Sequence, residues 1–266
     1  MSKVISKDGT TIGYDKLGTG PAVILVDGAL GYRAFGSMPR LAGLLSPQFT
    51  VFTYDRRGRG ESTNFLPYAV EREIEDIEAL IQAAGGPAFV YGISSGACLA
   101  LEAAIRLGGK VKKLALYEPP YNAEKGASQQ WKDYRKNLAD LLAADRRGDA
   151  VALFMQLVGT PPDQVDGMRQ MPMWSIFEAI APTLAYDAAA IGEDRTAPVI
   201  RAANIKVPAL IMDGGANLVY LPFMHVTATT LAAAIPHAQR RTLEGQTHDV
   251  NLEILAPALE EFFRRS

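Results

Sequence analysis

The chain has 266 residues, of which 48% are hydrophobic and 21% charged, the balance of a folded protein with a full core. A disordered chain, a fibrous repeat and a small disulfide-stapled scaffold are therefore excluded. Lys and Arg number 27 against 29 Asp and Glu, a net charge of −2, so no basic excess exists to neutralise a nucleic-acid backbone.

Strand and helix patterns alternate through the first 120 residues. Two short strand patterns flank Asp8-Gly9, a hairpin turn signal. Continuous apolar runs, typical of strands buried on both faces of a parallel sheet, then alternate with helical patterns. The strands are predicted at 22–26, 51–54, 88–91 and 114–117, and the helices at 35–45, 70–84 and 97–107. This order predicts βαβ units in an α/β three-layer sandwich with a mostly parallel sheet.

The alternation stops at Pro119-Pro120. From 121 to 200 the patterns are helical only, rich in Ala, Leu and Met and interrupted by prolines. Strand patterns return at 207–213 and 240–243, followed by helices at about 221–235 and 251–264. The sequence therefore predicts an α/β core made of residues 1–120 and 201–266, with an inserted helical cap at 121–200.

Cofactor, membrane and compartment signals are weak. Cys98 is the only cysteine, and the three histidines lack metal-binding spacing, so we expect no metal and no organic cofactor. The first residues lack the apolar run of a signal peptide, and no apolar stretch reaches ~18 residues. We therefore expect a cytoplasmic protein that binds a small molecule, with no nucleic acid and no membrane as partner. The oligomeric state is not encoded in any readable pattern.

Residues 92–96 read Gly-Ile-Ser-Ser-Gly and fit the pattern G-x-S-x-G. A predicted strand precedes them and a proline-free helix follows, the context in which this pattern exposes a nucleophilic serine. A glycine-rich turn that binds nothing, or a phosphate, is the plain alternative, but no nucleotide-binding glycine motif accompanies it. We therefore expect Ser94 to be a nucleophile at the positive N-terminus of the next helix, and the Ser95 N–H to be an oxyanion donor.

Residues 55–62 read Asp-Arg-Arg-Gly-Arg-Gly-Glu-Ser and, together with the turn at Ser94, resemble the α/β-hydrolase family over essentially the whole chain. The resemblance implies a hydrolase with a helical cap and a histidine general base on the loop after the last strand, where this sequence has His248. Asp55 and Arg57 are expected to brace their loop. Because Asp55 and Glu61 flank the three arginines, the sequence favours a solvated loop over a basic patch.

The acid that usually completes the family's catalytic triad is missing. Asn217 stands in its place after the strand 207–213, and an asparagine cannot stabilise an imidazolium by charge. Glu118, which ends the strand beside that of Ser94, is favoured as the acid, with Asp213 as the alternative. Some α/β-hydrolases take their acid from the strand after the serine. The zearalenone-lactonase type does so, and this chain resembles it in its Asp-Gly loop, G-x-S-S-G turn and Glu-x-Pro strand end.

The oxyanion loop also departs from the family, because Asp27-Gly28-Ala29 replaces the common His-Gly sequence. The expected donor is a backbone N–H, supplied by Gly28 or Ala29. A carboxylate aimed at a developing oxyanion would oppose catalysis. We therefore predict that the Asp27 carboxylate turns away and accepts hydrogen bonds from its own loop.

The predicted reaction is acyl transfer to water through an ester on Ser94. Flexible thioethers beside an aromatic ring suit an apolar acyl group or lactone ring, so a small apolar ester or lactone is the expected substrate. The predicted substrate-binding residues are Trp174, Met171, Met173, Met155, Tyr186 and Trp131. A carbon–carbon bond hydrolase or cofactor-free oxygenase on the same fold, and a small-molecule receptor, remain as alternatives. Haloalkane dehalogenases and epoxide hydrolases are disfavoured because their nucleophile is an aspartate.

Overall fold

The computed structural model describes residues 2–265, apart from the side chain of Tyr220. Within them, eight strands form one sheet: β1 (Ser2–Ile5), β2 (Thr11–Leu17), β3 (Ala22–Val26), β4 (Thr50–Tyr54), β5 (Ala88–Ile93), β6 (Val111–Tyr117), β7 (Ala209–Gly214) and β8 (Ala238–Leu243). Their spatial order is β1-β2-β4-β3-β5-β6-β7-β8. The pairings of β1 with β2 and of β2 with β4 are antiparallel, and all the others are parallel. The predicted mostly parallel α/β sheet is confirmed.

Helices cover both faces of this sheet. One face carries α1 (Met38–Leu45) and α12 (Leu252–Arg264), and the other carries α2 (Val70–Ala83), α3 (Ser95–Leu107) and α11 (Pro222–Ala234). In β3, Val23 and Leu25 pack into the core under α1, whereas Ile24 and Val26 pack into the core under α3. Because alternate strand residues face opposite sides, a sheet covered on both sides requires the continuous apolar runs seen in the sequence.

The chain between β6 and β7 is helical. It contains α4 (Ala127–Ala143), α5 (Arg147–Leu157), α6 (Pro162–Met168), α7 (Trp174–Ile180), α8 (Leu184–Ile191) and α9 (Val199–Ala202). Helix α8 packs on α3 of the sheet layer, and α9 crosses residue 200, where the cap was predicted to end. The division into core and cap stays a prediction. No helix among residues 2–265 has the length and apolar character to cross a membrane.

The parallel strands bring distant segments to one edge of the sheet. The carboxyl ends of β3, β5 and β6 lead directly into Asp27, Ser94 and Glu118. The short helix α10 (Asn217–Tyr220) follows β7, and the loop after β8 carries His248. Parallel strands end at the same edge, so residues from five separate parts of the chain meet there.

The arginine-rich loop after β4 is buried, and the prediction that it is solvated is wrong. Arg56, Arg57 and Arg59 are 1%, 0% and 1% exposed. Each guanidinium pairs with a carboxylate that lies far away in sequence, so the charges compensate one another inside the protein. The ion pairs join Arg56 to Glu73 and Asp187, Arg57 to Asp8 and Asp76, and Arg59 to Asp187.

Asp55 ties the same loop together. Its Oδ1 accepts a hydrogen bond from the Arg33 N–H at 2.8 Å, and its Oδ2 accepts one from the Glu61 N–H at 2.9 Å. Its backbone oxygen accepts from the Ser62 hydroxyl at 2.6 Å. Asp55 therefore braces the loop, as the sequence predicted.

We predict that Asp76→Ala destabilises the protein severely. Arg57 Nη2 and Nε lie 2.7 and 2.8 Å from the Asp76 carboxylate, and both side chains are buried. Removing Asp76 breaks the fully buried pair and leaves Asp8, which is less buried, as the remaining carboxylate partner of Arg57. Breaking a buried pair in this way costs about 3–5 kcal/mol. Urea unfolding measures this loss. Asp140→Ala, which breaks the exposed pair with Lys136, is the control and should leave the free energy of unfolding near the wild-type value. Similar losses in both variants would contradict the prediction.

Candidate active site

Ser94 lies at a sharp turn between β5 and α3. Its backbone adopts φ 56° and ψ −130°, an unfavourable conformation for a residue with a side chain. A Cβ at Gly92 would lie 2.4 Å from the Gly96 carbonyl oxygen, and one at Gly96 would lie 2.4 Å from that of Val26. Both positions therefore require glycine. The Ser94 N–H donates to the Tyr117 carbonyl oxygen at 3.0 Å, which ties the turn to β6.

The loop after β3 runs beside Ser94. A Cβ built on Gly28 would lie 3.1 Å from Ser94 Cβ. The Gly28 N–H donates to Asp27 Oδ1 at 2.8 Å, which confirms that Asp27 accepts a hydrogen bond from its own loop. The same bond engages the Gly28 N–H, so the expectation that Gly28 is an oxyanion donor is corrected.

Ala29 supplies the remaining N–H of this loop. Arg59 Nη1 donates to the Gly28 carbonyl oxygen at 2.6 Å and fixes the peptide plane between Gly28 and Ala29. Because a trans peptide directs its C=O and N–H to opposite sides, the Ala29 N–H points away from Arg59. In the described part of the chain, neither this N–H nor that of Ser95 donates a hydrogen bond.

Glu118 follows β6 with a left-handed backbone, φ 47°, and its side chain is fully buried. Its carboxylate accepts hydrogen bonds from the Gly214 N–H at 2.8 Å and from Asn217 Nδ2 at 2.7 and 2.9 Å. His248 Nδ1 lies 2.7 Å from Glu118 Oε2. Since an ionised carboxylate only accepts hydrogen bonds, Nδ1 carries the proton and donates it. Asn217 thus holds the carboxylate from the position where the family usually has its acid.

His248 presents its other ring nitrogen, Nε2, for a second contact. The side chain is 38% exposed and lines a cavity of about 300 Å³ together with Ser94. In the described part of the chain, the Ser94 hydroxyl donates no hydrogen bond to His248. Free enzymes often keep such a contact long until substrate binds. The Tyr117 hydroxyl donates to the Thr247 carbonyl oxygen at 2.5 Å and so anchors the loop directly before His248.

Asp213, the alternative acid, contacts a different histidine. Its Oδ2 lies 2.9 Å from His225 Nδ1, and its Oδ1 accepts hydrogen bonds from Arg240 and Thr242 at 2.9 and 3.1 Å. Asp213 is paired with Thr242 in the sheet register, so its side chain lies beside those of β8. The expectation that Asp213 could orient His248 is therefore corrected.

Of the six predicted substrate-binding residues, Trp131 lines the cavity of Ser94, and the other five do not. Trp174 is buried, with its Nε1 3.2 Å from Glu178 Oε1 and the Arg169 guanidinium over its ring. Met171 is 52% exposed to solvent. Their proximity in sequence predicts a common pocket wall, but Trp174 is buried at the start of α7, whereas Met171 lies before that helix and faces solvent.

The remaining three predicted pocket residues also serve packing. Tyr186 stacks on Tyr68 with ring centroids 3.8 Å apart, and its hydroxyl accepts from Asn64 at 2.7 Å. Met155 and Met173 pack, partly buried, against the main core. Apolar and aromatic residues from several helices of the segment between β6 and β7 form the cavity wall near Ser94 instead. They are Trp131, Tyr134, Phe154, Leu157, Leu184 and Ile191.

Two charged side chains of the cavity wall, Asp187 and Arg195, were missed by sequence reasoning. Asp187 Oδ1 accepts from the Ser95 hydroxyl at 2.8 Å, and its Oδ2 accepts from Arg59 Nη2 at 2.6 Å. Burial alone would raise the pKa of Asp187, but Arg59 and Arg56 lower it below its usual value. A lone acid within the Ala-rich sequence of α8 was the one signal that could have indicated a buried partner.

The described residues contain no group of three or more His, Cys, Asp and Glu side chains arranged to hold a metal ion. A serine, a histidine, a carboxylate and backbone N–H groups meet at this edge of the sheet.

Comparison with known proteins places this geometry in a family. The model of the Alpha/beta hydrolase family matches residues 22–260. A solved alpha/beta hydrolase from Sphaerobacter thermophilus DSM 20745 is 50% identical, with a TM-score of 0.87 over 98% of this chain and 100% of that one. A thermophilic esterase from Thermogutta terrifontis, 22% identical over 99% of this chain and 97% of its own, has a TM-score of 0.74 and shows the fold alone.

Among curated proteins, the uncharacterized hydrolase YraK of Bacillus subtilis (strain 168) is 33% identical over 168 residues. That match covers 57% of this chain and 61% of YraK, so this chain spans less than two thirds of the length of that relative. The family match over nearly the whole chain and the 50% identical structure agree with the sheet order and the turn at Ser94. The chain therefore belongs to the alpha/beta hydrolase family.

Proposed function

We propose that the protein is a serine hydrolase that cleaves carboxylic esters or lactones through an acyl-enzyme. The observation that carries this function is the 2.7 Å hydrogen bond between His248 Nδ1 and the buried Glu118, on the wall of the cavity that Ser94 lines. A base oriented by an acid beside a serine at a strand-to-helix turn is the arrangement that activates a hydroxyl for acyl transfer.

In the acylation step, Ser94 Oγ attacks the ester carbonyl carbon while His248 Nε2 accepts the hydroxyl proton. The resulting imidazolium is stabilised by Glu118, whose carboxylate is already oriented by Asn217. The N–H groups of Ser95 and Ala29 donate to the oxyanion of the tetrahedral intermediate. Collapse of that intermediate breaks the carbon–oxygen bond, and the leaving alcohol takes the proton from His248.

In the deacylation step, His248 removes a proton from water, which attacks the acyl group on Ser94. A second tetrahedral intermediate forms and collapses, the carboxylic acid leaves, and the proton returns from His248 to Ser94 Oγ. With a lactone, the alcohol stays attached to the acyl group, so the product is a hydroxy acid. The two steps consume one water molecule and require no group beyond these side chains and backbone donors.

Asp187 and Arg59 act in this scheme as positioning residues. Asp187 joins the Ser95 hydroxyl to Arg59, and Arg59 holds the carbonyl oxygens of Gly28 and Gly31 at 2.6 and 3.1 Å. The two proposed oxyanion donors therefore share one buried support. That support comes from α8, which links the helical segment to the reaction site.

We predict that a fluorophosphonate probe labels the wild-type protein, with Ser94 Oγ bonding to phosphorus and fluoride leaving, so that the protein gains the mass of one probe less HF. The phosphonyl group reacts only with an activated serine, so labelling should disappear in Ser94→Ala. Intact-mass spectrometry measures the adduct. Ser175→Ala, which removes an exposed hydroxyl bonded to the Pro172 carbonyl oxygen, is the matched control and should still be labelled. An inert wild-type protein would contradict the proposed function.

We predict that Glu118→Gln lowers kcat at least about 100-fold, because a neutral amide cannot stabilise the imidazolium; the equivalent Asp→Asn change costs ~10⁴ in a serine protease. Asp213→Asn should change kcat by only a few-fold, since Asp213 contacts His225 rather than His248. Turnover of p-nitrophenyl butyrate measures both variants, with circular dichroism to verify folding. A larger loss in Asp213→Asn would reverse the assignment.

We predict that Asp27→Asn is more stable, relative to the wild type, at pH 8 than at pH 4. Burial raises the pKa of the Asp27 carboxyl from 3.8 to about 6, although the Gly28 N–H and Arg59 oppose the rise. The folded state thus binds the proton more tightly, and wild-type stability falls as the pH rises from about 4 to about 6. The loss is roughly 3 kcal/mol and is absent from the asparagine variant.

Urea unfolding at pH 4 and at pH 8 measures the free energy of unfolding of the wild type and of Asp27→Asn. The predicted effect is that the difference between these two free energies changes between the two pH values. Asp140→Asn, which removes an exposed carboxylate, is the matched control, and the Asp27 effect has to exceed the change measured for this variant. A difference for Asp27→Asn that is equal at pH 4 and pH 8 would show that the Asp27 carboxyl ionises normally.

A further inference from the structure

We propose that Arg195 makes the cavity of Ser94 a binding site for esters or lactones that carry a carboxylate group elsewhere in the molecule. This substrate class rests on the proposed hydrolase function and narrows it. Arg195 lies in the connection between α8 and α9 and lines the same cavity as Ser94 and His248. The apolar substrate predicted from the sequence is replaced by one with an anionic end.

The Arg195 side chain is held in place before any ligand arrives. Its Nε donates to the Pro120 carbonyl oxygen at 2.7 Å, and its guanidinium carbon lies 5.4 Å from the Trp131 ring centre and 5.1 Å from that of Phe223. Its backbone oxygen accepts the Asn122 N–H at 2.7 Å. A side chain already fixed in this way loses little conformational entropy when it binds an anion.

The Nη groups of Arg195 are left for a ligand. Within residues 2–265, Arg195 makes no ion pair, and neither Nη group donates a hydrogen bond to the protein. Burial lowers the pKa of Arg195 below its usual value, and the charge of Glu124 opposes this only in part. Two parallel N–H groups of a guanidinium match the two oxygens of a carboxylate, so a carboxylate is the anion that fits this fork best.

The other charges of the cavity wall are already matched. Asp187 is paired with both Arg56 and Arg59. His248 is hydrogen-bonded to Glu118. Arg195 is therefore the uncompensated charge that a ligand in this cavity meets. The apolar wall formed by residues such as Phe154 suits the carbon chain between the ester and the carboxylate.

A purely structural role for Arg195 would be to fasten the α8–α9 connection to Pro120. The two roles differ in a measurable way, because fastening a loop affects all substrates alike, whereas binding a carboxylate affects only substrates that carry one. The decisive quantity is thus the ratio of kcat/KM for an anionic ester to kcat/KM for its neutral analogue.

The test uses mono-p-nitrophenyl esters of succinic, glutaric and adipic acid, each compared with its methyl p-nitrophenyl diester. We expect the wild-type protein to prefer the anionic member of at least one pair about 10-fold, at the chain length that spans Ser94 and Arg195. Arg195→Met should lower this ratio about 30-fold, and Arg195→Lys should lower it less. Arg146→Met, which removes an exposed guanidinium of the same helical segment, is the matched control and should keep the wild-type ratio.

A ratio unchanged by Arg195→Met, with the neutral diesters still hydrolysed, would overturn the carboxylate site and leave the proposed function standing. Failure of the wild-type protein to hydrolyse any ester or react with the fluorophosphonate would overturn the function instead. In that case, calorimetric titration with monomethyl glutarate tests the carboxylate site independently of hydrolysis. The Kd of this ligand should be about 30-fold higher for Arg195→Met than for the wild type. Absence of binding to the wild-type protein would reject the site. If Arg195→Met does not fold, Arg195→Lys serves in both measurements.

Discussion

A fully buried carboxylate, that of Glu118, organises the edge of the sheet where the candidate site lies. An ionised group without water must be compensated by charge or by several hydrogen bonds. Glu118 obtains its partners from the end of β7, from α10 and from the loop after β8, through Gly214, Asn217 and His248. Three segments that are far apart in sequence are thereby fixed relative to one another. The left-handed backbone at Glu118 is tolerated because this arrangement requires it.

A second set of buried charges connects the helical segment to the same edge. Asp187 enters from α8 and pairs with Arg56 and Arg59 of the loop after β4. Arg59 in turn holds the Gly28 carbonyl oxygen, and Asp187 accepts a hydrogen bond from the Ser95 hydroxyl. The desolvation of buried ion pairs offsets much of their Coulombic attraction, but removing one partner is strongly destabilising, so both partners have to be in place. Here they hold the Ser95 side chain and the peptide between Gly28 and Ala29, and both Ser95 and Ala29 line the cavity.

Under the proposed function, the cavity combines a general reaction site with walls that select the substrate. Ser94, His248 and the backbone donors would treat any ester alike, because they contact only the atoms that react. Discrimination between substrates has to come from groups that touch the rest of the molecule. Those groups belong mainly to the segment between β6 and β7, where Trp131 and Phe154 supply apolar surface and Arg195 supplies charge. In the proposed scheme, the loops at the sheet edge supply the reacting groups and the helical segment supplies the groups that select the substrate.

Sequence patterns alone determined the order of strands and helices and the turn at Ser94, because strand periodicity and glycine-bounded turns depend on neighbours along the chain. The preference for Glu118 over Asp213 came from the expected adjacency of its strand to that of Ser94 and from the resemblance to lactonase-type members. Tertiary structure alone decided that the Gly28 N–H is engaged by Asp27, that the arginines after β4 are buried, and that Trp174 packs away from the cavity. Each of those outcomes depends on a partner or a direction set by packing between elements. A side chain's charge and size are written in the sequence, but what it contacts is determined only when distant segments meet.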